Sequence, residues 1–489
     1  MNRELKRVSA VVLVMFLALF GSTTVIQAFQ ADALRLDARN TRALYDSYDT
    51  ERGPILAGST VIAESVPTGD QFVFQRQYPQ GELYAPVTGF FNPTQGSAGL
   101  EQYMNDYLSG TSNSQFLDGI NRIVAGQAPK GAAVEVTIDP VVQEAAFEAL
   151  GDRQGAVVAI EPSTGRILAM VSTPTYDPNS LASHDSKSVI STYAALEDDP
   201  LDPLVNRATS GDMNPPGSSF KVIVAAAALA SGDYTPESTF DNPASLKLPG
   251  SDAVVNNFTR STCGPGDTVT LAEALRQSCN IPFAELGMEL GDDALREQAE
   301  KFGFNSEMAL PTPTGISVYP SDLDAAQTGL TSFGQFEVRA TPLQMALVSA
   351  GIANDGTVMQ PTLVDQVTGR NLEVLKSFEP QVMSEALTEE QCVPLTEMMI
   401  SAVSDGQSNG ARIEGVDVAG KTGTAQNGTS ESGADEPYSL WFTGFAPAEN
   451  PEVAVAVVVE NDGNLGRHSS GNIVASPIAK KVIEAVLNK

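Results

Sequence analysis

Apolar positions run without a charge from Val8 to Ala31, densest from Val8 to Phe20, thinning at Gly21-Ser22-Thr23-Thr24 and resuming through Phe29. That length predicts one membrane-crossing helix, and Arg3, Lys6 and Arg7 ahead of it place the N-terminus in the cytoplasm. A cleaved export signal with a small-residue site at Ala31-Asp32-Ala33 accounts for the same pattern. Either reading puts the rest of the chain outside the membrane. From Asp32 to about Ala133 the pattern is irregular, broken by Pro86-Val87-Thr88-Gly89 and Phe91-Asn92-Pro93-Thr94, and predicts a small mixed domain without evident chemistry. Asp139-Pro140 then opens a helix through Leu150, and Gly151-Asp152-Arg153-Gln154-Gly155 reads as a joint.

Beyond the joint the texture changes. Two apolar runs, Ala156 to Ile160 and Ile167 to Val171, flank the turn residues Glu161-Pro162-Ser163-Thr164-Gly165 and predict a hairpin. Three more strand-like runs lie near the C-terminus, at Val416 to Ala425, Leu440 to Ala446 and Val453 to Glu460, before a helix from Ile478 to Leu487. Strands at both ends with helices between predict an α+β domain whose sheet joins the two ends of the segment. The organisation expected is therefore a tip and membrane segment at 1–31, a non-catalytic domain at 32–150 and a larger domain at 151–489. The stretch from Asn427 to Pro437, rich in Gly, Ser, Glu and Asp, is expected to be a loop.

Composition narrows the function. The 489 residues hold 60 acids against 29 bases, a formal charge of −31 that repels phosphate and argues against nucleic acid as a partner. Three cysteines and two histidines, with no C-x-x-C or H-E-x-x-H, argue against a metal centre. His184 and His468 read as ordinary polar residues.

Three short patterns carry chemistry. In Pro215-Pro216-Gly217-Ser218-Ser219-Phe220-Lys221 the two prolines and the glycine precede an Ala-rich run, Val222 to Ala230, which forms a helix until Ser231-Gly232 stops it. Ser218 then sits at a helix start, where backbone N–H groups can stabilise an oxyanion, and Lys221 lies one turn on. With no charge elsewhere on that helix, Lys221 is expected to be partly desolvated and able to act as a base. A serine cap followed by an incidental lysine is the competing reading. The second pattern is Ser278-Cys279-Asn280, after the helical Leu271 to Gln277. The third is Lys421-Thr422-Gly423-Thr424 in a strand-like run. Gly415 to Thr422 also matches the phosphate-cradling G-x-x-x-x-G-K-[ST] loop, but Val416 and Val418 alternate as a strand through it and no helix start follows, which excludes a nucleotide site.

S-x-x-K, S-x-N and K-T-G in that order, separated by 60 and 143 residues, resemble the penicillin-binding proteins and serine β-lactamases. The wider chain resembles the monofunctional class B penicillin-binding transpeptidases, and their actinobacterial branch above all. Gly155 to Met170 looks like that family's opening hairpin, and Gly334-Gln335 with Ala340 to Ala346 like its mid-domain signature. Trp441 to Pro447 looks like its strand after K-T-G, and Asn40-Thr41-Arg42 with Arg52 to Gly58 like its juxtamembrane stem. Ser439 departs from the histidine that relatives often carry two residues before the tryptophan, so contacts at that rim are not carried over.

The resemblance implies a penicillin-binding transpeptidase fold, an antiparallel sheet with helices on both faces. It further implies a peptidoglycan D,D-transpeptidase that acts on stem peptides and is acylated by β-lactams, without metal or organic cofactor. Ser218 would be the nucleophile, Lys221 its base, Ser278 a proton relay and Asn280 the residue orienting Lys221 and the substrate amide. Lys421, Thr422, Gly423 and Thr424 would bind the substrate's terminal carboxylate, and the N–H groups of Ser218 and Thr424 would form the oxyanion hole. Partners implied are cell-division or elongation proteins, including a polytopic glycosyltransferase. In an exported domain Cys263 and Cys279 could form a disulfide, while two buried thiols with Cys392 left over is the alternative. Rival functions are a D,D-carboxypeptidase, a β-lactamase and a non-catalytic wall sensor. For the β-lactamase no E-x-x-x-N element is found between Ile281 and Leu310, and for the sensor the serine and both lysines stand intact.

Overall fold

The computed structural model describes residues 2–26, 50–69, 72–112, 130–211, 213–427, 437–461 and 469–489. The predicted small-residue site at Ala31-Asp32-Ala33, the Asn40-Thr41-Arg42 stem, His468 and most of the loop after Asn427 lie outside them. In chain order the elements used below begin with helix α1 (Asn2–Thr24), strands β1 (Ile55–Ala57), β2 (Thr60–Pro67), β3 (Phe74–Gln77) and β4 (Ala133–Val136) and helix α2 (Pro140–Leu150). They continue with β5 (Gln154–Ile160), β6 (Ile167–Thr173), α3 (Lys221–Ser231), α4 (Leu271–Arg276), α5 (Ile281–Leu290) and α6 (Pro342–Ala353). Last come β7 (Val364–Thr368), β8 (Val374–Ser377), α7 (Glu389–Ser404), β9 (Ala419–Ala425), β10 (Ser439–Ala446), β11 (Val453–Asn461) and α8 (Ala475–Leu487).

Helix α1 carries Leu5–Thr24, the one segment among the described residues long and apolar enough to cross a membrane, and its side chains are exposed on the protein. A mixed sheet of order β8-β7-β4-β1-β2-β3 follows, in which β1 and β4 run parallel. Its outer pair, β7 and β8, comes from the middle of the chain, with Val367 opposite Val134. Beside this sheet Glu101, fully buried, takes Arg52 Nη2 at 2.7 Å and Arg76 Nε at 2.5 Å, and the Phe91 ring lies 3.8 Å under the Arg52 guanidinium.

A second sheet, of five longer strands, is antiparallel, of order β9-β10-β11-β5-β6. Strands β5, β6, β10 and β11 read as largely apolar runs because both faces are covered, whereas β9 carries Lys421, Thr422 and Thr424. On one face α2 and α8 bury Val142, Ala146, Val482 and Ile483 against Val157, Val455 and Val457. On the other, α6 packs on β5, β10 and β11, so that Val158, Ala456 and Phe445 join the core that holds α3. Helix α2 begins where the Asp139 carboxylate accepts the N–H groups of Val141 and Val142, with Pro140 in the first turn. The expected strand from Val416 starts only at Ala419. Gly415, at φ +77°, turns the chain so that Val416 bridges back to Ile413.

Candidate active site

Ser218 lies on a 3-10 turn, Gly217–Phe220, that runs straight into α3, and Gly232 in the left-handed region ends that helix. From Lys221 to Leu229 every residue of α3 is buried, as an uncharged Ala-rich helix requires. The turn is held from three sides. Gly217 N donates to Gly334 O at 3.0 Å, Trp441 Nε1 donates to Pro215 O at 2.9 Å, and Gly423 lies so close that a Cβ there would sit 2.4 Å from Pro216 O. Gly217 and Gly334 both have positive φ, and a Cβ on Gly334 would meet Gly217 O at 2.2 Å. The mid-domain Gly334-Gln335 signature is thus the floor of the nucleophile turn.

The three motifs converge. Lys221 Nζ donates to Ser278 O at 2.7 Å and to Asn280 Oδ1 at 2.8 Å, and Lys421 Nζ donates to Ser278 Oγ at 2.7 Å and Thr422 O at 2.9 Å. Both amines are fully buried. Burial first, and the neighbouring Lys421 charge second, hold Lys221 well below the ordinary lysine value. Burial alone brings Lys421 down to about 7. A neutral amine has two N–H bonds and one lone pair. The two acceptors around Lys221 use both N–H bonds, leaving the lone pair for a proton from another group.

Ser278 can serve both lysines because of how α4 ends. Ser278 N donates to Leu275 O at 3.1 Å and Cys279 N to Ala274 O at 2.9 Å, the paired bonds of a Schellman cap, with Ser278 at φ +59°. Glycine usually fills that left-handed position. Here the serine puts its carbonyl on Lys221 and its hydroxyl on Lys421. Ser278→Gly is expected to be about 1 kcal/mol more stable than Ser278→Ala, since only glycine relieves the backbone. Urea unfolding of the two variants checks this, and equal midpoints would refute the strained cap.

Asn280 is set from a segment the sequence did not single out. Its N–H donates to Asn257 Oδ1 at 2.9 Å and its Nδ2 to Asn256 O at 2.9 Å, which leaves Oδ1 aimed at Lys221. A Cys263–Cys279 disulfide, Cα atoms 5.8 Å apart, ties this segment to the S-x-N turn, while Cys392 is free and buried. On β9 the two threonines differ. Thr422 is buried, its hydroxyl donating to Gln407 O at 3.0 Å, whereas Thr424 is half-buried and its hydroxyl accepts Gly471 N at 3.2 Å, keeping its own proton to donate. Lys421 sits in mid-strand, and among the described residues the next element after β9 is strand β10, so Gly415 to Thr422 does not have the strand–loop–helix form of a phosphate cradle. Ser439 lies at the buried start of β10 and not on the rim. Asn257, Gln407 and Gly471 had no local signal in the sequence, because each acts through a partner far along the chain.

The family described as penicillin binding protein transpeptidase domain matches residues 155–484, and that of the penicillin binding protein A dimerisation domain matches 52–134. The peptidoglycan D,D-transpeptidase PbpA of Mycolicibacterium smegmatis is 42% identical over 495 residues, covering 100% of both chains. PbpA of Mycobacterium tuberculosis is 42% identical over 496 residues, covering 100% of this chain and 99% of the relative. The solved ceftriaxone acyl-enzyme complex of M. tuberculosis penicillin-binding protein A superposes with a TM-score of 0.86 at 40% identity, over 91% of this chain and 100% of that one. The imipenem acyl-enzyme complex gives 0.85 at 41%, over 91% and 100%.

Proposed function

The chain belongs to the penicillin-binding protein transpeptidases, and on that premise we propose that it is a serine-type peptidoglycan D,D-transpeptidase, cross-linking stem peptides through an acyl-enzyme on Ser218 and acylated there by β-lactams. The observation that carries the reading is the buried Lys221 amine, two acceptors satisfying its N–H bonds, one turn after a serine at a helix start.

Ser218 Oγ attacks the penultimate D-Ala carbonyl as its proton passes to Lys221 Nζ. The new O–C bond leaves an oxyanion facing the N–H groups of Ser218 and Thr424. As that intermediate collapses, the C–N bond breaks and the leaving D-Ala amine takes the proton of the Ser278 hydroxyl, which Lys421 Nζ resupplies. Asn280 orients Lys221 and the substrate amide. Lys421 supplies positive potential toward the terminal carboxylate, and Thr424 supplies the hydroxyl proton. Thr422, bonded to Gln407, braces the strand, and Gly423 lets it approach the nucleophile turn. An amine from a neighbouring stem then attacks the ester carbonyl and returns a proton through Ser278 to Lys421, and as the C–O bond breaks Ser218 recovers its proton from Lys221.

Residues 32–150 serve as a pedestal for the transpeptidase domain, 151–489, whose catalytic face is outside the cytoplasmic membrane, anchored by α1 with its basic end inside. In that place it works in wall synthesis and division beside a polytopic glycosyltransferase, which supplies the glycan strands whose stems it cross-links. The test is labelling of the full-length protein in detergent with a fluorescent penicillin, then a chase with unlabelled drug and mass mapping. One stable acyl group on the peptide holding Ser218 is expected. Fast loss of label in the chase would make the protein a hydrolase, and no label on folded protein would overturn the catalytic reading.

A further inference from the structure

The nucleophile turn and strand β9 are separate elements, yet each holds one N–H of the oxyanion hole, so their spacing sets the hole's width. A polar chain, buried at Ser439 and half-buried at Asn214, Asn427 and Glu460, joins them at the open end. Ser439, fully buried, lies opposite Ala425 in the β9–β10 register, one residue beyond Thr424. Its hydroxyl donates to Asn214 Oδ1 at 2.7 Å, and Asn214 immediately precedes Pro215-Pro216-Gly217-Ser218. Asn427 Nδ2 donates to Ser439 Oγ at 3.0 Å and to Pro437 O at 2.7 Å.

The direction of the chain is determined from its other end. Glu460, next to last in β11, accepts Asn214 Nδ2 at 2.8 Å, Arg207 Nε at 2.9 Å and Gln154 Nε2 at 3.1 Å. A carboxylate only accepts, so it holds the amide with Nδ2 toward Glu460 and Oδ1 toward Ser439. Ser439 Oγ also lies 3.1 Å from Asn427 Oδ1, but it has one proton and Asn214 Oδ1 is the nearer acceptor, so Ser439 donates to Asn214 and accepts from Asn427 Nδ2. Asn214 O also accepts Ala340 N at 3.0 Å, so backbone and side chain are both fixed.

We propose that Asn214 and Ser439 are positioning residues for the acylation reaction: their hydrogen bond, oriented by Glu460, holds the Ser218 turn against the Thr424 strand and so sets the oxyanion hole. This rests on the transpeptidase reading above. Neither side chain touches substrate. Their loss acts through the two N–H groups, which serve both formation and breakdown of the acyl-enzyme, while substrate contacts are unchanged.

The experiment measures full-length wild type, Ser439→Ala, Asn214→Ala and the double variant with a chromogenic cephalosporin, separating the acylation rate constant from half-saturation, then following deacylation. Each single variant is expected to slow acylation and deacylation together by about tenfold, as a sub-ångström displacement of reacting groups does, with half-saturation unchanged. The double variant should be no slower than either single one, because both break one bond. Ser439→Cys, nearly the same shape with a weak S–H, carries the test if the alanine variant does not fold. Wild-type rates in the variants, a change confined to half-saturation, or losses that multiply in the double variant would each overturn the proposal. The transpeptidase reading would survive all three, since it fails only if the wild type is not acylated.

Discussion

Lys221→Met is expected to slow acylation of Ser218 by about 10²–10⁴-fold, the range a positioned general base contributes. The residual rate comes from Ser218 and the oxyanion N–H groups, so Ser218→Ala, with no nucleophile, takes up no label at any pH. The methionine fills the space of the lysine stem and removes the cost of burying an amine, but it leaves Ser278 O and Asn280 Oδ1 without that donor, so thermal unfolding is run beside the labelling to show that the variant is folded. Loss of label is then not loss of fold. The pH dependence has a definite sign. Only the neutral amine accepts a proton, and burial with the Lys421 charge pulls the Lys221 value down. Wild-type acylation therefore has an acid limb at that lowered value and a second limb near 7, where Lys421 loses the charge that meets the substrate carboxylate. Stopped-flow acylation across pH checks this. An acid limb retained unchanged in Lys221→Met would assign the base elsewhere.

Glu101→Ala is expected to destabilise the protein by about 3–5 kcal/mol, the usual result of removing one partner from a buried ion group. Arg52 and Arg76, each 4% exposed, would be left facing each other without the carboxylate. The Tyr78 hydroxyl, 3.3 Å from Glu101 Oε1, loses its acceptor as well. At about 2–4 °C per kcal/mol, the melting temperature should fall by at least 6 °C. Burial alone would raise the Glu101 value, but Arg76 and Arg52 outweigh it and the net shift is downward. The stabilisation is therefore complete above the ordinary carboxylate range and is lost as pH falls through the depressed value. Thermal unfolding from neutral to acid pH measures both effects. A melting temperature within 2 °C of wild type would show that the triad contributes little.

The chemistry was more legible in the sequence than its supports. Ser218 and Lys221 announce themselves because prolines and a glycine interrupt just before an Ala-rich run, a local contrast that needs no partner to interpret. The hairpin β5–β6 and strands β10 and β11 are equally local, being apolar runs between turn residues. Asn256 and Asn257 carry no such contrast. They matter only because the disulfide and the helix end bring Asn280 to them. Nothing in the order of residues tells that Thr422 faces Gln407 while Thr424 faces the cleft, since that depends on which edge of β9 meets α7. The pairing of β4 with β7 was hidden for the same reason: two short alternating segments over two hundred residues apart do not name each other.

The order of strands in the antiparallel sheet has a consequence for how the chain is made. Hairpin β5–β6 is complete early, but the inner edge of β5 pairs only with β11, near the C-terminus. At about 5–20 residues per second, synthesis of the roughly 300 intervening residues takes about 15–60 s. For that time the newborn protein carries an unpaired, wholly apolar strand, Gly155 to Ile160, with its backbone groups open to any passing strand. An apolar edge open for that long is an aggregation hazard set by the topology, and truncation anywhere before Val453 leaves it open permanently.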